Sequence, residues 1–473
     1  MAAAHHDLTS SLRQRIYSGI QWKTIRIAGL VLLVVLSACK QEKVPEPFRP
    51  SDRHEAYIHS LRLAGLGGAA LTRDWIKASE NVLLQPVEIE TPYEEVFYAD
   101  PKEAFAAAFR FSAKKGQKII VEITHQGLQP GRLFMDLFRV REGGFQNWQK
   151  VASSPYREMR LEFEPQRDYD YVFRFQPELL RGGTYRVTIQ RDASLLFPVP
   201  DKDTRAIQSG FGAPRDGGKR EHHGVDIFAP RHTPVIAPSR AMVRRVSETD
   251  IGGRTVWLYD SKRLMNMYFA HLQTQDVEES AIIEAGQQIG TIGNTGNART
   301  TPPHLHFGIY IRGEGPVDPY HFINHLQARP SPILADKTSV GRWGRLKSPS
   351  RLSPVLGKRT GNPIELPADC PLFILAAAGR SFRVRLPDGR FGYISSASVE
   401  TIEFPLRNLR PGVSDVLFAA PKTGAAEITA LERGEELGLL ATFEGYGLVK
   451  TEEGLTGWIP LASPLETDGS SSR

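Results

Sequence analysis

Pro302-Pro303-His304-Leu305-His306-Phe307-Gly308-Ile309-Tyr310-Ile311 decides how the centre of this 473-residue chain folds. The two prolines disfavour helix at His304, so the run reads as a β-strand. His304 and His306 then project from one face, while Leu305, Phe307, Ile309 and Ile311 fill the other as core. A second stretch, His222-His223-Gly224-Val225-Asp226-Ile227-Phe228, alternates in the same way. Val225 and Ile227 take the core side and Asp226 the opposite side, near enough to His222 to share an ion. Between the two lies Tyr268-Phe269-Ala270-His271-Leu272.

Two His and one Asp make three ligands. Neutral imidazoles and a carboxylate match the borderline character of Zn²⁺, and three protein ligands leave the fourth tetrahedral position for water. His271 and His304 are then available as non-ligands, one to take the water's proton and one to stabilise an oxyanion. Either fits the base. His223 and His232 carry no role in this reading, and Gly293-Asn294-Thr295-Gly296 reads as a hairpin turn, because no lysine follows at phosphate-loop spacing.

Outward from this centre, a composition of 41% hydrophobic and 24% charged residues suits about three domains of ~150 residues each. That excludes one small disulfide-stapled module. Forty-two glycines and thirty-three prolines exceed the roughly 12% of average usage, which favours turns and short strands over helix bundles. The formal charge is +6, but Arg13, Arg15, Lys23 and Arg26 stand against Asp7 at the N-terminus. The body is therefore only mildly basic, and no nucleic-acid partner is expected. The sequence identifies no protein partner.

The one long apolar run, Ile27 to Ala38, follows that basic stretch and is too short for a spanning helix of ~20 residues. It reads as the core of an export signal covering residues 1–38. Residues 39–85 read as anchor, linker and two short helices. From 86 to 195 the period becomes two, with Ile119, Val121 and Ile123, then Leu133, Met135 and Leu137, then Tyr171, Phe173 and Phe175, then Tyr185, Val187 and Ile189, which predicts an antiparallel β-sandwich. Residues 196–328 hold the histidine-rich unit and 329–342 a linker. The segments 343–402 and 403–466 repeat one another, since residues 382–399 align with 446–463. Both read strand, turn, strand, with Tyr393 and Trp458 matched and assigned to core packing. Residues 467–473 form a polar tail.

Five resemblances add to this. Leu36-Ser37-Ala38-Cys39 resembles the lipobox of bacterial lipoproteins, which implies a lipidated Cys39 as membrane anchor and leaves Cys370 without an intrachain partner. Lys40 in place of an aspartate resembles lipoproteins sent to the outer membrane, facing the periplasm in a Gram-negative cell. SGFGAPRDGGKREHHGVDIFAPRHTPVIAP, YFAHL and GTIGNTGNARTTPPHLHFGIY are similar to the lysostaphin-like, LytM-type zinc metallopeptidases that cleave peptidoglycan peptides. That resemblance implies His222, Asp226 and His306 as ligands of one Zn²⁺, His271 and His304 as the catalytic pair, and peptidoglycan as partner. The sandwich is similar to jelly-roll-like pre-peptidase modules, and the two C-terminal repeats to bacterial SH3-like β-barrels. The expected fold is mainly β throughout, with the C-terminal modules separable from the catalytic unit. A non-hydrolytic wall-binding scaffold or activator is the alternative function.

Overall fold

The computed structural model describes residues 52–126, 131–141, 147–154, 158–325, 328–357, 363–410, 416–432 and 434–461. The signal-like segment, Cys39 and the polar tail lie outside the described residues. Among the described residues, no helix is long and apolar enough to cross a membrane.

The two expected helices are Arg53–Leu63 and Ala70–Leu84. The second turns Thr72, Trp75, Ser79 and Leu83 inward. Trp75 Nε1 donates to the Pro177 carbonyl at 2.9 Å, and Gln176 Nε2 donates to the Trp75 carbonyl at 2.8 Å. This fixes the helix to the β-sandwich that follows, where the period-two alternation is realised residue by residue. Ile119, Val121, Ile123, Leu133, Met135, Leu137, Tyr171, Phe173, Phe175, Tyr185, Val187 and Ile189 are all buried in one core. One sheet runs in the order Val87–Glu88, Ala107–Ala113, Tyr169–Pro177, Leu133–Val140, Trp148–Ser153. The facing sheet contains Tyr93–Ala99, Gly183–Ala193, Gln117–Gln126 and Arg160–Phe163.

That facing sheet does not end with the sandwich. Tyr93–Ala99 pairs antiparallel with Pro371–Ala378, Val96 opposite Ala377 and Phe97 opposite Ala376. Five strands of the first C-terminal module, Trp343–Leu346, Pro371–Ala378, Ser381–Arg385, Phe391–Ser395 and Val399–Thr401, thereby join the four of the facing sheet in one nine-stranded sheet. A buried polar network crosses the junction. Arg383 donates to both oxygens of Glu95, at 3.0 and 2.8 Å, Tyr93 Oη donates to Glu95 at 2.6 Å, and the Tyr93 and Tyr393 hydroxyls lie 2.8 Å apart. Glu95 is fully buried, so removing Arg383 alone would strand its charge. The second module is a six-stranded sheet that includes Tyr446–Lys450 and Thr456–Pro460. Its Leu440, Phe443, Leu448 and Trp458 pack into the core of the first module. Tyr393 and Trp458 are both buried, as core positions are.

The central unit is a ten-stranded sheet in which His304–Ile311 lies between Val225–Phe228 and Met265–Gln275. Arg263 ties it to the sandwich. Its guanidinium donates to Glu164 at 2.7 and 2.8 Å, to Asp260 at 2.7 Å and to the Ser194 carbonyl at 2.9 Å. Gly116 closes against the Phe322 ring, which an added Cβ would approach to 2.5 Å.

Candidate metal centre

Strand register brings the site together. Val225–Phe228 pairs antiparallel with His304–Ile311 so that Asp226 is directly opposite His306 and Phe228 opposite His304. Directly opposed residues share a face, so Asp226 and His306 meet on the side away from the core, while Val225, Ile227, Leu305, Phe307 and Ile309 fill that core. His222 arrives from the loop before the strand. It is held by its N–H on the Ala213 carbonyl at 2.9 Å and by Nδ1 on the Gly210 carbonyl at 2.8 Å.

His222 Nε2, Asp226 Oδ1 and His306 Nδ1 are separated by 2.9, 2.9 and 3.1 Å. A tetrahedral ion with bonds of ~2.1 Å has ligand–ligand edges of about 3.4 Å. The three donors therefore sit slightly inside the spacing that an ion would impose, and the donor set fits a four-coordinate metal. It is the one such cluster of three or more metal-ligating side chains found among the described residues.

The ring nitrogens are sorted by backbone carbonyls. His271 Nδ1 lies 2.9 Å from the Thr295 carbonyl, and His304 Nδ1 lies 2.9 Å from that of Pro302. A carbonyl can only accept, so Nδ1 carries the proton in both, and Nε2 is left as the free ring nitrogen. The same holds for His222, whose Nε2 faces the other donors. His306 presents Nδ1 to the centre instead, which brings its other ring edge against the backbone of Gly224. A Cβ added there would lie 2.9 Å from His306 Nε2 and 2.5 Å from the Phe307 carbonyl oxygen. Only glycine fits.

His271 reaches the cleft through a β-bulge. In Met265–Gln275, Met265, Met267 and Phe269 face the core, and strict alternation would send His271 there as well. Instead His271 takes φ +60°, the register against the neighbouring strand shifts between Arg254 and Val256, and Leu272 becomes the next core residue. The extra residue re-aims the imidazole outward, where its centroid is 5.0 Å from that of His304 and 6.2 Å from that of His306. Burial pushes the His271 pKa down to about 4 and that of His306 down too, which keeps both neutral near pH 7. Burial alone would raise the Asp226 carboxyl, but hydrogen bonds and charge from His222 and His306 hold it well below the usual carboxylate range. It is ionised, as a ligand must be.

All five residues singled out in the sequence therefore meet at one cleft of about 450 Å³, and every residue lining it falls between Ser209 and Tyr310. Several that the sequence did not flag join them. Arg215 donates to the second oxygen of Asp226 at 2.6 Å and to Ser209 Oγ at 2.6 Å. Tyr268, in edge contact with His306, forms an aromatic wall with Trp257 and Tyr310. Gly293-Asn294-Thr295-Gly296 is not a hairpin turn. It leads from the strand Gln288–Ile292 into a short 3₁₀ turn, and its Thr295 holds His271 through the carbonyl. Thr295 Oγ1 also donates to the Leu272 carbonyl at 3.0 Å and accepts from the Arg254 N–H at 2.9 Å. His223 is exposed at the cleft rim, and His232 occupies a turn at φ +70°.

A His-Asp-His donor set open to a cleft, with two further histidines across from it, defines a metallohydrolase centre of the catalytic kind. Residues 220–319 match peptidase family M23. The chain is 35% identical over 143 residues to the L-Ala–D-Glu endopeptidase of Bacillus subtilis, covering 28% of this chain and 43% of that protein. It is 34% identical over 115 residues to peptidoglycan DD-endopeptidase ShyC of Vibrio cholerae, covering 24% and 26%. Among solved structures, the catalytic domain of the antimicrobial peptidase lysostaphin from Staphylococcus simulans aligns at 31% identity over 23% of this chain and 85% of that one, with a TM-score of 0.22. The chain thus spans less than half the length of these two curated relatives.

Proposed function

We propose that the protein is a zinc metalloendopeptidase, held to a membrane by lipid on Cys39, that hydrolyses the peptide cross-links of peptidoglycan. The observation that carries this reading is the convergence of His222, Asp226 and His306 on one point, with His271 and His304 across the same cleft. A zinc ion held there would supply a Lewis acid for the scissile carbonyl and an acidified water as nucleophile. His304 and His271, each with Nδ1–H tied to a carbonyl, offer a bare Nε2 to accept the nucleophile's proton, and only the Nε2 that has taken up a proton can then donate to the developing oxyanion. The peptidoglycan substrate is supported by the named activities of the two curated relatives. The lipid anchor is supported by the order Leu36-Ser37-Ala38-Cys39, and outer-membrane placement by Lys40. The SH3-like character of the two C-terminal repeats, which would hold the wall near the cleft, is part of the same proposal.

The test is loss of turbidity of purified cell walls with the zinc-loaded protein, with and without chelator, followed by mass spectrometry of the released fragments. Chelator-sensitive solubilisation with new peptide ends supports the proposal. Binding of walls without any released fragment would overturn it in favour of a scaffold or activator.

A further inference from the structure

Outside the cleft lining, the turn between the two N-terminal helices is apolar and fully formed. Leu63 to Thr72 reads LAGLGGAALT, a run without a single charge. Leu63 is 69% exposed, Leu66 46% and Leu71 45%, and Ala64, Ala69 and Ala70 are exposed beside them. Isolated exposed leucines are ordinary on a soluble surface, whereas three on one short uncharged run mark a contact.

The shape is not adaptable. Leu66 N–H donates to the Leu61 carbonyl at 2.9 Å and Gly65 N–H to that of Arg62 at 3.0 Å, with Gly65 at φ +76°, a glycine-terminated helix end. Ala69 N–H closes on the Leu66 carbonyl at 3.0 Å, and the following helix is fixed to the sandwich through Trp75. The leucines cannot turn inward without undoing this prong.

We propose that the prong formed by residues 63–72 seats in the interface of the bilayer that carries the lipid on Cys39; this rests on the anchored reading above. Two observations choose a bilayer as the occupant. Exposed Arg62 and Arg73 bracket the apolar run, which matches anionic headgroups around an inserted tip. The chain between Cys39 and the first helix reaches at most about 50 Å when extended, and the 11-residue helix adds about 16 Å, so the anchor confines the prong to within about 65 Å of that surface. At such an effective concentration a weak second contact becomes effective, and lipid chains commonly work with a second membrane signal.

The experiment uses the acylated full chain, as Leu66→Cys carrying an environment-sensitive fluorophore, in vesicles of phosphatidylcholine and phosphatidylglycerol with or without brominated acyl chains. Labelling is specific to residue 66. Cys39 is occupied by lipid, and Cys370 is buried with its thiol pushed up to about 11 by that burial. Leu66 is already exposed, so the substitution leaves the core intact. Bromine is expected to quench residue 66 at least twofold and to leave a label at exposed Ser348 unchanged. Adding Leu63→Ser and Leu71→Ser should abolish the quenching. A vesicle-bound chain whose residue 66 stays in water refutes the prong alone, and so does shielding without bromine quenching, which would indicate a protein partner or a second copy. A chain that leaves the vesicles altogether refutes the anchor and the prong together.

Discussion

Gly224→Ala is the most economical test of the metal centre, because it adds one methyl group and replaces no ligand. The added carbon would sit 2.5 Å from the Phe307 carbonyl oxygen, 2.8 Å from His306 Cε1 and 2.9 Å from His306 Nε2. Ordinary contacts begin near 3.4 Å, so the strands must part, or the ring must turn, by several tenths of an ångström. Metal–ligand distances tolerate only about ±0.2 Å. His306 Nδ1 would thus leave the position it shares with Asp226 Oδ1 at 3.1 Å, while the surrounding sheet pays only the usual overpacking cost of about 1–3 kcal/mol. The expected result is a folded protein with unchanged far-ultraviolet circular dichroism, a zinc affinity lowered ~10²-fold and wall hydrolysis lowered with it. Gly68→Ala, where an added methyl meets nothing within 4 Å, should bind zinc as the unmodified protein does. Stoichiometric, tight zinc in Gly224→Ala, measured by competition with a chromophoric chelator, would refute the assignment of His306 Nδ1 as a ligand atom.

Two other outcomes follow from the same geometry and a third from the sandwich core. His306→Ala and Asp226→Ala should each lose zinc by metal analysis after dialysis, whereas His304→Ala should keep it and lose about 10²–10⁴ in turnover of a soluble cross-linked muropeptide, the range for general acid–base help; equal turnover would remove His304 from the catalytic pair. Arg215→Met frees the outer oxygen of Asp226 and should lower metal affinity or turnover 10–100-fold, as loss of a group supporting a ligand usually does, with Arg215→Lys recovering part of it. Asp136 is buried, and although burial raises its pKa, Arg174 and Lys150 outweigh burial and lower it. A lowered folded-state pKa stabilises fully above the unfolded value of about 3.9 and loses that contribution as pH falls through the folded value. Urea midpoints of Asp136→Asn should therefore fall short of the parent at pH 6 and converge on it below pH 4, and a constant gap would refute this.

The parts of the site that depend on alternation were legible in the sequence. His304 and His306 on one face, Asp226 opposed to Val225 and Ile227, and the four strands of the sandwich core all follow from a period of two. His271 was legible as a residue but not as a direction, since alternation places it in the core and only the bulge at φ +60° turns it out. Arg215 was not legible, because its link to Asp226 arises from the folding of a local hairpin, Pro214–Arg215 on Arg220–Glu221, whose sequence carries no apolar pattern. Nor was the pairing of Tyr93–Ala99 with Pro371–Ala378. Each strand looks complete within its own segment, and nothing local records which distant edge it meets.

That last pairing sets what a cut in the chain can do. The M23 segment lies, in chain order, between the two strands that pair across the sandwich edge, and Arg263 clips it to the first of the two flanking parts. A protease that severs the linker at 329–342 would break one covalent bond and release nothing, because the shared sheet and the Glu95–Arg383 pair would keep both fragments together. Separating the catalytic part from the residues that precede the sandwich would instead require a break ahead of the sandwich, and everything from there to the last strand would leave as one piece.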